Sequence, residues 1–81
     1  MKAKVRLFAR LSQLAGTREV LVEVGEGLTA AEVYQLVCTD YPALGGLNGS
    51  LRYAVNGEYA DARHPVGEGD ELALIPPVSG G

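Results

Sequence analysis

Between Thr29 and Tyr41 the chain carries one long helical stripe, and the segments on either side of it alternate instead. Thr29-Ala30-Ala31-Glu32 has the form of a capping box, in which hydroxyl and carboxylate each satisfy a backbone N–H that the first helical turn leaves without a partner. Ala30, Val33, Val37 and Tyr41 recur at helical spacing behind it, with Tyr34 and Leu36 widening the stripe. Pro42 ends the run, because the residue before a proline avoids the α region. One amphipathic helix cannot bury its own stripe, so it has to lie on a sheet.

The flanking segments supply that sheet. Ala3, Val5, Leu7 and Ala9 alternate with Lys4, Arg6 and Phe8, the period of a strand with one buried face. Arg10 to Leu14 fits a short helical turn, stopped by Ala15-Gly16-Thr17. A second strand puts Val20, Val22 and Val24 on one face and Leu21 and Glu23 on the other, and Gly25-Glu26-Gly27 closes it. After the helix, 43–50 reads as a glycine-containing loop. Arg52 to Val55 reads as a strand, and Asn56-Gly57 is a strong hairpin signal. Residues 60–65 read as irregular. Gly67-Glu68-Gly69-Asp70 is a tight turn launching the last strand, Glu71 to Ile75, with Leu72 and Leu74 toward the helix.

The order β-β-α-β-(β)-β, with one crossover helix, predicts an α+β fold: a β-grasp, or ubiquitin-like roll. Its mixed sheet of four to five strands carries one main helix packed on one face. Such a sheet brings the first and last strands together. Phe8 and Ile75 then share the face away from the helix, rimmed by Lys4, Arg6 and Glu71. An exposed aromatic on a charged strand face is a docking-site candidate. The alternative is that one exposed phenylalanine fills a shallow gap in its own fold.

Composition narrows the functions. Eighty-one residues bound the chain to one domain, and 47% hydrophobic against 21% charged residues is a globular balance, not a disordered one. A net charge of −3 and a pI near 4.9 disfavour a nucleic-acid partner, because phosphate binding needs a basic surface. The chain has no apolar run of membrane-spanning length, and charges interrupt the first ten residues, so neither a membrane span nor a signal peptide is expected. The single Cys38 allows no internal disulfide and fits a cytoplasmic setting. Cys38 and the single His64 are too few for a zinc site, and one cysteine cannot hold an iron–sulfur cluster, so no metal is expected. Asp61, Asp70, Glu58 and Glu68 read as solvated loop carboxylates.

The end of the chain, Ile75-Pro76-Pro77-Val78-Ser79-Gly80-Gly81, sets an extended tail, 76–81, apart from a domain at 1–75. Proline has no N–H for a sheet, so Pro76 and Pro77 end the ladder and direct the chain outward as extended backbone. Six residues at ~3.3 Å each reach roughly 20 Å. Two glycines make the tip thin enough for a narrow channel in another protein, and a terminal carboxylate there is anionic at neutral pH. Carboxylates are poor electrophiles and need activation, typically as an acyl-adenylate. A plain flexible terminus is the alternative.

These residues carry a resemblance. "GDELALIPPVSGG" resembles the MoaD family, the small sulfur-carrier subunit of molybdopterin synthase, and so do "VRLFARLSQLAGT", "LTAAEV", "AVNGEYAD" and "HPVGEGDEL" along most of the chain. The proline pair followed by V-x-G-G directly after a strand is the most specific element, since Gly-Gly alone is shared by the wider ThiS/MoaD ubiquitin-like superfamily. The resemblance implies that an E1-like, MoeB-like enzyme uses ATP to adenylate Gly81, and that a sulfur donor converts it to a thiocarboxylate. The loaded tail then enters the large, MoaE-like subunit and passes sulfur to a cyclic pterin precursor in molybdenum cofactor biosynthesis. It further implies that Ser79 and Gly80 thread the channel, and that Phe8, Ile75, Pro76, Pro77 and Val78 lie at the partner interface. The resemblance also implies no permanently bound cofactor and no catalysis by the subunit alone. Two small and two large subunits are the implied assembly. The family can have an arginine where this chain has Ser12. Other readings are a carrier for thiamin thiazole or cysteine synthesis, a ubiquitin-like modifier joined through Gly81 to lysines, and a non-covalent binding module.

Overall fold

The computed structural model describes residues 1–46 and 50–76. Its elements run β1 (Lys2–Leu7), α1 (Arg10–Ala15), β2 (Glu19–Glu23), α2 (Ala30–Asp40), a 3-10 turn (Pro42–Leu44), β3 (Arg52–Val55), β4 (Glu58–Ala60) and β5 (Glu71–Ile75). The strands form one mixed sheet in the order β2-β1-β5-β3-β4. Only the central pair, β1 with β5, is parallel, and the remaining neighbours are antiparallel. Here α2 lies across one face of an open five-stranded sheet, which is the β-grasp expected from the residue pattern.

Alternation decides which face is covered. Along β1 burial switches at every residue, with Ala3, Val5 and Leu7 inside and Lys2, Lys4 and Arg6 outside. In β5, Leu72 and Leu74 are fully buried beside them. From α2, Ala30, Val33, Tyr34 and Val37 face this apolar layer. Capping at the start of α2 is as the sequence indicates: Thr29 Oγ1 accepts from the Glu32 N–H at 3.3 Å, and Glu32 Oε1 accepts from the Thr29 N–H at 2.9 Å. The hairpin turn has Asn56 at φ 52° and Gly57 at φ 87°, the left-handed pair that a tight two-residue turn between twisted strands requires.

Four features differ from the sequence-based expectation. Ala9 does not continue the buried face of β1: it is exposed, outside the strand, at φ 50°. Leu36 is 39% exposed, because the sheet covers only one side of α2 and the stripe is narrower than the residue types indicate. Leu44 sits fully buried in the stretch read as a loop, where its carbonyl oxygen accepts a hydrogen bond from the Tyr34 hydroxyl. Leu11 of α1 is also buried, so α1 is a small second lid over the core and not a bare turn. Its end is set by Gly16 at φ 76°, whose N–H reaches the Ser12 carbonyl at 2.9 Å.

Candidate functional site

The face opposite α2 is where the charged half of β1 points. The β1–β5 register pairs Lys4 with Glu71, Arg6 with Ala73 and Leu7 with Leu74, so the next step along both chains brings Phe8 level with Ile75. On the other side of β5, Ala54 stands opposite Ala73, and the β3–β4 hairpin sets Tyr59 opposite Ala54. The result is a shallow concavity of about 250 Å³. Two alanines form its floor, and Phe8, Ile75 and Tyr59 form its walls, with Arg6, Gly57 and Glu71 completing the lining.

Charge organises the rim. Arg6 lies 5.3 Å above the centre of the Phe8 ring, and its Nε is 3.5 Å from Glu71 Oε1. Both partners of this ion pair are open to water, so it contributes at most about 1 kcal/mol to stability. Its effect is geometric: the guanidinium bridges the aromatic wall to β5 and restrains the ring where a partner would meet it. Phe8 is 39% exposed and Tyr59 is 75% exposed, an aromatic pair on a face that the fold itself leaves uncovered.

The sequence pattern reached Phe8 and Ile75, and the structure brings these two together. It missed Tyr59 and the alanine floor. The Asn56-Gly57 turn held the necessary signal, because a two-residue hairpin fixes Val55 opposite Glu58 and therefore Ala54 opposite Tyr59. Pro76 follows β5 directly, half-buried, one residue past the last pairing of Ile75 with Arg52. Pro77, Val78, Ser79, Gly80 and Gly81 lie outside the described residues, and so does their expected role in threading and sulfur loading.

The remaining candidates lie elsewhere in the fold. Cys38 is half-buried against the core, near Tyr53, whose phenol is pushed up by burial and by that neighbouring thiol. His64 Nδ1 is 2.9 Å from the Pro65 carbonyl in an exposed turn. A second hollow of about 440 Å³ opens beside β4, lined by Leu51, Arg52, Tyr53, Tyr59 and Asp61. Among the described residues, no three His, Cys, Asp or Glu side chains gather as metal ligands would, and no helix is long and apolar enough to cross a membrane.

Known proteins share this whole architecture. The molybdopterin synthase sulfur carrier subunit of Chlamydomonas reinhardtii is 34% identical, with each chain covered completely. The small archaeal modifier protein 1 of Haloferax volcanii is 38% identical over 94% of this chain and 97% of its own. The crystal structure of SAMP1 from Haloferax volcanii superposes with a TM-score of 0.87 at 36% identity, covering all of both chains. The ThiS family matches residues 5–81, from the middle of β1 through the terminal glycine pair. A match that spans the sheet, the crossover helix and the tail together leaves one assignment: the chain belongs to the ThiS family, among the relatives of the molybdopterin synthase sulfur carrier subunits.

Proposed function

We propose that this chain is the sulfur carrier subunit of a molybdopterin synthase. The carrying observation is that a relative of that name aligns end to end with it, through Gly80 and Gly81. In this reading the Gly81 carboxylate attacks the α-phosphorus of ATP on an E1-like activating enzyme, and pyrophosphate leaves. Hydrosulfide delivered by the sulfur donor then attacks the acyl carbon and displaces AMP, which leaves a thiocarboxylate. Its soft sulfur is a far better nucleophile than carboxylate oxygen, and it forms the new carbon–sulfur bond on a cyclic pterin precursor as a carbon–oxygen bond at that carbon breaks. Water cleaves the acyl–sulfur bond and restores the carboxylate. The sulfur is cargo and ATP is the activating enzyme's co-substrate; neither is a resident cofactor of this chain.

The large synthase subunit is the proposed partner, as the word subunit in the relative's name supports. The concavity walled by Phe8, Ile75 and Tyr59 supplies its docking surface, and Pro76 starts the tail beside it. Pro77 and Val78 would continue along the interface, Ser79 and Gly80 would thread the channel, and two copies of each subunit would complete the assembly. The chain incubated with activating enzyme, ATP and a sulfur donor is expected to gain the mass of one oxygen replaced by sulfur, located to Gly81 by fragmentation. An unchanged mass beside an activating enzyme proven competent on another substrate would overturn the carrier role.

The name of the archaeal modifier relative points to a reading that ranks second, in which the same activated carboxyl group is joined to a lysine of a target protein. Activation is common to both and the nucleophile differs. Recovery of isopeptide-linked targets with no thiocarboxylate would select it.

A further inference from the structure

Lysine is rare in this sequence, and both copies, Lys2 and Lys4, fall in one strand. Strand alternation sends both side chains to the open face, on the same side as Arg6 and the concavity. The Lys4 side chain is 47% exposed, and its Nζ is 4.0 Å from Glu19 Oε2 on the neighbouring strand. The α-amine of Met1 is the remaining amine, 3.8 Å from Glu23 Oε1 at the same end of the β1–β2 pair. Every amine of the chain therefore lies along one strip of sheet.

We propose that Lys4, with Lys2 beside it, is an acyl-acceptor site for the activated carboxyl group of a second copy of this chain, and that a partner seated on the concavity closes it. The proposal rests on the carboxyl activation described above. Lys4 Nζ attacks the acyl carbon of the adenylate, the carbon–nitrogen bond forms, and the bond to the phosphate oxygen of AMP breaks. The lysine ammonium sheds two protons in becoming the amide N–H, one before attack and one after, and both pass through the Glu19 carboxylate to water. No oxidant or reductant takes part. Glu19 distinguishes Lys4 from Lys2, because the carboxylate stands within ion-pair distance of the attacking nitrogen.

Chain direction favours a second copy over the chain's own tail. Lys4 is level with Glu71, four residues back from where β5 ends, so the tail would have to reverse through Pro76-Pro77, which favour extended backbone. Dimensions set the closure. A standard interface covers ~800 Å² on each partner, a disc of roughly 16 Å radius. Four strand residues at ~3.3 Å separate Lys4 from Phe8, about 13 Å, so a partner centred on Phe8 and Ile75 covers Lys4.

The test incubates the chain with its activating enzyme and ATP, without a sulfur donor. Pyrophosphate release reports activation separately: its absence sinks the activation reading, whereas release without a linked product sinks the acceptor site alone. The expected product is a covalent dimer with a branched peptide at Lys4. Lys4→Arg should remove most of it, and Lys2→Arg with Lys4→Arg all of it, with pyrophosphate release unchanged. Adding the large synthase subunit should abolish dimer formation and protect Lys4 from acetylation by an N-hydroxysuccinimide ester. Linkage confined to the Met1 amine, a cyclised monomer, or equal acetylation of Lys4 in the free chain and the complex would each overturn the proposal.

Discussion

Ala9 holds φ 50° with ψ −125°, a combination that a side chain bearing a Cβ adopts only under constraint. The constraint is visible around it. Its carbonyl accepts from the Ser12 N–H at 3.2 Å and from Ser12 Oγ at 2.8 Å, and the Phe8 carbonyl accepts from Leu11, so the first turn of α1 is tied to this reversal. Strain of this kind costs roughly 1–3 kcal/mol, and glycine removes it while loosening the unfolded chain by ~0.5–1 kcal/mol. Ala9→Gly is therefore expected to stabilise the fold by about 1 kcal/mol, read as a higher urea midpoint at unchanged slope. Asp70 is a second residue with a readable effect. Its carboxylate accepts from the Gly67 N–H at 2.8 Å and from Asn56 Nδ2 at 3.1 Å, and these bonds, the backbone one foremost, hold its pKa below the usual carboxyl value. A depressed folded pKa means stability that is complete above the unfolded value and lost as pH falls through the folded one. The melting temperature should accordingly fall more steeply below about pH 4 in the native chain than in Asp70→Asn, and parallel curves would remove Asp70 from the acid response.

The N-terminus of α2 shows how far an element was legible and where that stopped. Its capping box follows from four consecutive residues, because hydroxyl and carboxylate spaced three apart match the two N–H groups they serve. Thr29→Ala should cost about 1 kcal/mol in chemical denaturation, and Glu32→Gln much less, since the amide oxygen can still accept from the Thr29 N–H. The sequence does not reveal that the next two donors are taken by a distant loop: Ala30 N–H reaches the His64 carbonyl at 2.9 Å and Ala31 N–H the Ala62 carbonyl at 3.0 Å. Residues 60–65 read as irregular, yet Ala60 closes β4 and the order of the rest is imposed by the helix they cap. Leu44 and Leu11 escaped for a related reason. Each is one buried side chain in a turn or six-residue helix, too short for any period to mark which face is inside. The sheet was legible because alternation in β1 and β5 repeats over several residues. Phe8 and Ile75 were placed through it, whereas Tyr59 needed the hairpin register carried one strand further.

For the whole molecule, the two faces of one sheet carry different properties, and the same strands serve both. Leu72 and Glu71 are neighbours in β5, yet one is fully buried beneath α2 and the other helps line the open concavity. Truncating Leu72 to alanine removes core contacts and should cost ~2–5 kcal/mol, a large share of the ~5–15 kcal/mol that holds a domain together. Phe8→Asp acts on the open face. Phe8 gives up its contact with Arg6 and its partial cover in the concavity, and the new carboxylate stands near the same guanidinium, so stability should fall by only about 1 kcal/mol. Binding should respond in the opposite proportion, because an aromatic anchor at the centre of an interface is commonly worth ~2 kcal/mol or more, about 30-fold in affinity. Thermal melts of both variants beside calorimetric titration with the large synthase subunit separate the effects. If Phe8→Asp folds and still binds with native affinity, the concavity is not the docking surface, and the partner has to be sought elsewhere on the sheet. If it binds weakly but melts well above Leu72→Ala, a chain this small has kept recognition clear of its own core by giving each face of one sheet a separate task.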